Sequence, residues 1–202
     1  MRNSQFIDGY FAEMREILDK LSREDIDGVI ETLFAAWREG RTVFLIGNGG
    51  SASTATHFAC DLSKVTVCEG RPRLRAVSLC DNPALISALT NDNGFEHIFS
   101  EQIRSLMRPR DVLIAISVHG GSGADQAGVW SQNLLRAMKV AKKEFGATVI
   151  GFSGFDAGAF RQIADLCLNV PVSSTPQVES FHLVLEHLVT FCLKERIAAC
   201  EP

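Results

Sequence analysis

The sequence predicts an α/β fold with a doubly wound, five-stranded parallel sheet flanked by helices. Three observations predict it. Apolar strand-like runs recur at 42–47, 73–79, 111–118, 147–152 and 166–172, with helical patterns in the gaps. Inner runs such as VLIAIS at 112–117 and TVIGF at 148–152 are apolar at consecutive positions, which implies a sheet covered on both faces. The first run ends in a glycine-rich turn, GNGGSAS at 47–53, where a strand should become a helix. Strands that alternate with helices pair in parallel. With 202 residues and 46% hydrophobic content, the chain can enclose one sizeable core.

The elements follow in order. Residues 1–40 carry two helices. In the first, Phe6, Tyr10, Phe11, Met14, Ile17, Leu18 and Leu21 recur at three- and four-residue steps and form an amphipathic stripe. Ser22 caps the second, which runs to about Arg38 with Ile26, Val29, Ile30, Leu33, Phe34 and Trp37 inward. The basic cluster Arg71-Pro72-Arg73-Leu74-Arg75 reads as a solvated lead-in to the second strand. Asn82-Pro83 is a cap-plus-proline helix start, and Gly146 closes the helix that ends at Phe145. Ligands of doubly wound sheets sit beyond the carboxyl ends of the strands. The functional loops are therefore expected at 47–53, 80–82, 91–94, 117–131 and 173–177.

Composition narrows the function. A net charge of −4 argues against a nucleic-acid footprint, which needs a basic face. The N-terminus has no apolar signal segment, and no run is long enough to span a bilayer, so a cytoplasmic home is expected, with no membrane partner. The six cysteines show no CxxC spacing, which disfavours a zinc ribbon or a redox pair. No internal repeat or low-complexity segment interrupts the chain.

GNGGSA fits the dinucleotide fingerprint G-x-G-x-x-A, but the acidic residue that would hold a ribose is missing. The nearest candidate, Asp81, comes late by roughly ten residues. No nucleotide cofactor is therefore expected. Asn48, Gly49, Gly50 and Ser51 instead suit a terminal phosphate, which backbone N–H groups at a helix start and side-chain hydroxyls can grip. The third strand repeats the device: Ser117 ends it, and His119-Gly120-Gly121-Ser122-Gly123 follows. Two such loops can hold one phosphorylated ligand.

A second constellation carries chemistry. His57 and Asp61 lie four apart on the helix that opens at Ser51, so they share a face. The late segment VESFHLVLEHLVTF is apolar on nearly every side, yet holds Glu179, His182, Glu186 and His187. Buried charges require partners or a metal. His57, Asp61, Glu179 and His187 are four plausible ligands for one divalent ion such as zinc. The alternative is two separate ion pairs, His57 with Asp61 and His182 with Glu186.

The chain resembles the sugar isomerase (SIS) domains, and among them the phosphoheptose isomerases. The resemblance rests on GNGGS followed by His57-Phe58-Ala59, on Leu89-Thr90-Asn91-Asp92-Asn93-Gly94-Phe95 leading to Ile98-Phe99-Ser100, on Asp111-Val112-Leu113 with Ile116-Ser117, and on the late helix with His182 and His187. It runs over nearly the whole chain. It implies a flavodoxin-like SIS domain over 41–202, joined by N-terminal helices at 1–40 that help build a homotetramer with active sites at subunit interfaces. It also implies isomerisation of sedoheptulose 7-phosphate to a heptose 7-phosphate through an enediol(ate), commonly with zinc. Asn48, Gly49, Gly50, Asn91, Asp92 and Ser117 match substrate-contacting positions, and His57 and His187 match zinc ligands. Three departures stand out. Asp61 replaces a glutamate that is both base and ligand. Glu179 replaces a glutamine. His119, Gly121 and the inserted GSGADQAGVW alter the phosphate loop, leaving either Ser122 or Ser131 to complete it. Asp61 is expected as base and His187 as its acid/base partner. The alternative is a non-catalytic SIS protein that binds a phosphosugar or a replication initiator.

Overall fold

A computed structural model describes residues 3–121 and 131–200. One all-parallel sheet has the strand order β2-β1-β3-β4-β5. The strands are β1 (Thr42–Gly47), β2 (Arg75–Ser78), β3 (Val112–Ile116), β4 (Thr148–Gly154) and β5 (Leu166–Val170). The helices are α1 (Asn3–Lys20), α2 (Arg23–Arg38), α3 (Gly50–Lys64), α4 (Pro83–Asn93), α5 (Ile98–Leu106), α6 (Gln132–Phe145), α7 (Phe160–Ile163) and α8 (Thr175–Ala199). The expected α/β class and all five strands are present.

Successive strand residues point to opposite faces, and this builds two cores. Val43 and Leu45 of β1 join Phe58 of α3, Leu33 of α2 and Leu185 of α8 on one face. Phe44 and Ile46 join Ile103 of α5 and Met138 of α6 on the other. Each large apolar side chain sealed in this way contributes about 2 kcal/mol.

Local signals set the helix ends. The Ser22 hydroxyl accepts from the Asp25 N–H at 3.1 Å, and the Asn82 side-chain Oδ1 from the Leu85 N–H at 3.0 Å. Gly146 ends α6 at φ +58. Strand β2 is shorter than the apolar run because its lead-in is occupied elsewhere. Trp37 Nε1 donates to the Pro72 carbonyl at 2.9 Å, and Arg71 and Arg75 donate to the carbonyls of Cys200 and Gly40. The basic cluster thus ties the β2 lead-in to α2, the α2–β1 turn and the end of α8.

Helix α1 leaves much of its amphipathic stripe uncovered by its own chain. Its stripe is not inward along its length: Ile17 and the following Leu21 are buried, but Phe6, Phe11 and Leu18 are exposed. Residues 91–93 are also not loop but the last turn of α4, which stops at Gly94 with φ +93.

The strand order reverses between β1 and β3, which are neighbours, with Gly47 opposite Ile116. The glycine turn after β1 and the Ser117 loop after β3 therefore leave the sheet side by side, at the switch point where such folds bind ligands.

Candidate active site

The turn after β1 is built by lack of side chains. A Cβ on Gly47 would run into the Ser51 carbonyl, so the first turn of α3 folds directly over it. Gly49 sits at φ 54, ψ −125, a conformation open to little but glycine. Asn48 locks the turn to the opposite loop. Its amide exchanges two hydrogen bonds with Asn133 of α6, at 3.0 and 2.8 Å. Ser117 is buried, and its Oγ accepts from the Gly121 N–H at 3.4 Å. His119 packs its ring on Phe155, 4.3 Å between centroids.

One and two turns down the same crossover, α3 meets α8, and four titratable side chains converge. His57 Nε2 lies 3.7 Å from Asp61 Oδ2, and His187 Nε2 lies 3.6 Å from the same oxygen. Glu186 Oε1 lies 3.3 Å from His187 Nε2 and 3.7 Å from His57 Nδ1. The two imidazoles cross edge to face, 5.0 Å between centroids. One ligand atom from each of His57, Asp61, Glu186 and His187 falls within 4.8 Å of all the others. Glu186 is fully buried, and neither carboxylate oxygen has a hydrogen-bond partner. Burial, and after it the Asp61 carboxylate, push the Glu186 acid up to about 8. A buried, unpartnered carboxylate beside two imidazoles and a second carboxylate is a donor set that suits a divalent ion of the zinc type.

This cluster differs from the expected ligand set in one member. Glu179, two turns before His187 on α8, is not in it. Its carboxylate lies against Gly50 at the start of α3, where a Cβ would strike it. Glu186 stands in its place. The i,i+4 spacing of His182 and Glu186 had suggested an ion pair, and that signal misleads. His182 turns away, with Nε2 donating to the Ser153 carbonyl at 3.1 Å and its ring edge to face with Phe152. Apolar surroundings lower the His182 pKa from the usual 6.5 to about 4, so the ring is neutral.

That neutrality predicts an acid-labile fold. A histidine with a depressed folded pKa binds its proton more readily in the unfolded chain. Its stabilising share is complete above pH 6.5 and is lost as pH falls from 6.5 towards 4, an amount on the order of 3 kcal/mol. Thermal melts across that window should show the loss. His182→Gln, which keeps a donor for Ser153 and cannot charge, should flatten it; an unchanged slope would refute the assignment.

The remaining expected positions are spread more widely. Asn91 and Asp92 are exposed on α4 and bond each other, Nδ2 to Oδ1 at 2.7 Å. No bond among the described residues ties them to the α3–α8 cluster. Ser131 precedes α6 in a left-handed conformation at φ 56, and its carbonyl accepts from the Leu134 N–H. Ser122 lies outside the described residues. Asn133 enters the site without having been expected there; its place two residues after Ser131, at the start of an amphipathic helix, was the available signal. An open cleft of about 630 Å³ on the outer side of α3 brings Ser53, Thr56, His57, Cys60, Cys80 and Asp81 to one wall. All six cysteines are free thiols, and no helix among the described residues is long and apolar enough to cross a membrane.

Comparison with known proteins agrees with this architecture. The family model described as SIS domain matches residues 9–154. The lincomycin biosynthesis protein LmbN of Streptomyces lincolnensis is 44% identical over 161 residues, which is 78% of this chain but only 57% of that longer protein. The phosphoheptose isomerase of Syntrophotalea carbinolica is 35% identical over 189 residues, 92% of this chain and 90% of the relative. The solved phosphoheptose isomerase of Neisseria gonorrhoeae superposes with a TM-score of 0.83 at 30% identity, covering 96% of this chain and all of that one.

Proposed function

The chain belongs to the SIS-domain family, on its phosphoheptose isomerase side, and is a sugar-phosphate isomerase; we propose that it interconverts sedoheptulose 7-phosphate and a heptose 7-phosphate through an enediolate. The carrying observation is the α3–α8 cluster of two imidazoles and two carboxylates, next to two glycine-bearing loops at the switch point. The loops suit the phosphate. Backbone N–H groups of the turn after β1, with Ser51, and the Ser117–Gly121 turn face the same crevice.

Aldose–ketose isomerisation needs a base that removes the proton alpha to the carbonyl and an acid that returns it to the neighbouring carbon. Asp61 is the base. Its carboxylate lies within 3.7 Å of both cluster imidazoles, which hold it in place. His187 is the acid/base partner, 42% exposed and thus able to reach substrate. Asn91, Asp92 and the hydroxyls of Ser117 and Ser131 serve the sugar and its phosphate, and Ser122 is the other candidate for that last role. A zinc ion held by cluster residues would polarise the substrate oxygens and stabilise developing negative charge.

The working unit is a homo-oligomer, with four copies as the family resemblance implies; the need for a second copy rests on apolar surface. Leu183, Val184, Leu188 and Phe191 of α8 are between 37% and 53% exposed and surround His187 along the helix, and Phe6, Ile7 and Phe11 are exposed on α1. Contiguous apolar surface of this kind marks an interface. A second copy over α8 would shield the cluster from water. Light scattering at micromolar concentration should give a tetramer, and a monomer there would overturn the assembly.

The test of function is turnover in heavy water. Zinc-loaded protein is incubated with ketose phosphates of different chain length, and deuterium at the alpha carbon is read by NMR. Exchange fastest with the seven-carbon substrate supports the proposal. Faster exchange with another length reassigns the substrate. Tight binding without exchange favours the non-catalytic sugar-phosphate-binding reading.

A further inference from the structure

We propose that a groove at the amino end of the sheet, between Arg75 and Arg108, binds an organic phosphate whose other end is apolar, at a site separate from the catalytic crevice.

The segments 38–41, 71–75 and 108–110 hold seven arginines and a single acid, Glu39, in a chain whose net charge is −4. They lead into β1, β2 and β3, which are neighbours in the sheet. The fold thus gathers the arginines at one end, opposite the carboxyl ends from which the glycine turn and the Ser117 loop leave. The six residues of β1 hold the two ends about 20 Å apart. Part of this charge is matched within the chain. Glu39 accepts from Arg41 Nε at 2.9 Å and from Arg110 Nη2 at 3.1 Å. Arg71 and Arg75 donate only to backbone carbonyls, which leave their positive charge uncompensated. Arg73 and Arg108 have no side-chain hydrogen bond or ion pair among the described residues.

Arg75 and Arg108 border one groove of about 490 Å³ along the edge strand β2. Val77 and Leu106 line it with apolar surface, 38% and 50% exposed. Two hydroxyls also line it. Ser63 Oγ is engaged with the Ala76 carbonyl at 3.3 Å, whereas the Thr42 hydroxyl bonds no described residue and can donate to a ligand. The polar rim is held from behind. Asp111 is buried, and its two carboxylate oxygens accept from the Thr42 and Arg108 N–H groups, both at 2.8 Å. One buried acid therefore fixes the backbone of two groove residues at once.

This lining selects the ligand. Its volume suits a small molecule rather than a polymer. Two guanidinium groups match the two negative charges of a phosphate monoester, whereas a carboxylate would leave one unbalanced. Val77 and Leu106 favour an apolar group on the same molecule, which a bare sugar phosphate lacks. A charge that only guards an edge strand against pairing needs no such groove.

The test uses 1-naphthyl phosphate as probe. It is titrated by calorimetry into the full-length chain with sedoheptulose 7-phosphate in excess to fill the catalytic crevice. Saturable, stoichiometric binding that weakens as salt rises is expected. Arg75→Ala and Arg108→Ala should each weaken it at least about tenfold, through loss of a charge-assisted bond. Ser117→Ala, at the other end of the sheet, should leave it unchanged. 1-Naphthol, which lacks the charge, and methyl phosphate, which lacks the ring, should each bind at least about tenfold more weakly. Arg108→Ala removes no side-chain contact of the fold and should keep the wild-type Tm, so its loss of binding is a loss of the site. A wild type that does not bind the probe overturns the proposal. So does displacement of the probe by the sugar phosphate, unchanged binding in Arg108→Ala, or equal binding of either control compound. The isomerase reading is decided separately, by deuterium exchange.

Discussion

Asp61→Asn should lower deuterium exchange at the substrate alpha carbon by about 10²–10⁴-fold, the usual contribution of a positioned general base. An amide of the same shape cannot accept the proton at neutral pH. The fold should hold, because Asp61 is only partly buried and its cluster contacts are with His57 and His187 rather than with the backbone. Substrate affinity should persist, since the turn after β1 and the Ser117 loop are untouched. Asp61→Glu is the finer measurement. If the site is shaped around the shorter acid, an added methylene moves the carboxylate by about 1.5 Å and costs activity on the true substrate. If the rest of the site still fits a glutamate, activity on the seven-carbon phosphate is kept or raised. Full exchange by Asp61→Asn would remove Asp61 as the base and leave Glu179, beside the glycine turn, as the next candidate.

The fold was legible because its signals are local and repeated. Continuous apolar strands, the Ser22 and Asn82 caps and the Gly146 stop each specify one backbone state, and each is met by the bond it calls for. The His57–Asp61 face and its meeting with His187 were legible for a similar reason, since helix spacing fixes which residues share a side. That Glu186 rather than Glu179 lies with His57, Asp61 and His187 is something spacing cannot decide. Both project from α8 towards α3, and which one reaches His57 depends on how far the two helices overlap along their axes. That offset is set by packing of Phe58, Phe181 and Leu185 in the shared core. The i,i+4 rule likewise paired His182 with Glu186, but the rule holds for solvated faces. In a core, the strongest demand on the ring is the Ser153 carbonyl. The α1 stripe shows the limit of periodicity, which reports an apolar face without saying what covers it; Phe6 and Phe11 are largely exposed in the single chain.

The turn after β1 gives the other large expected effect, through Gly47→Ala. A methyl group there would meet the Ser51 carbonyl and lie 2.8 Å from the Ala52 amide nitrogen, both backbone atoms. Neither can swing aside as a side chain can. The Ala52 N–H is already bonded to the Asn48 and Gly49 carbonyls, at 3.3 and 3.0 Å, so the whole first turn of α3 must shift. Such overpacking costs about 1–3 kcal/mol of stability. Because α3 also carries His57 and Asp61, the shift reaches the proposed chemistry as well as the phosphate. Sugar-phosphate affinity should fall at least about tenfold, which is about 1.4 kcal/mol, and Tm should fall with it. Gly50→Ala separates the two effects. The three atoms nearest its methyl all belong to the Glu179 carboxylate, the end of a flexible side chain. The fold should therefore keep its wild-type Tm while Glu179 is pushed from the opening of α3, and any change should be confined to ligand affinity. Wild-type stability and affinity in Gly47→Ala would show that the strand-to-helix turn tolerates a side chain and is not the tight phosphate cradle argued for it.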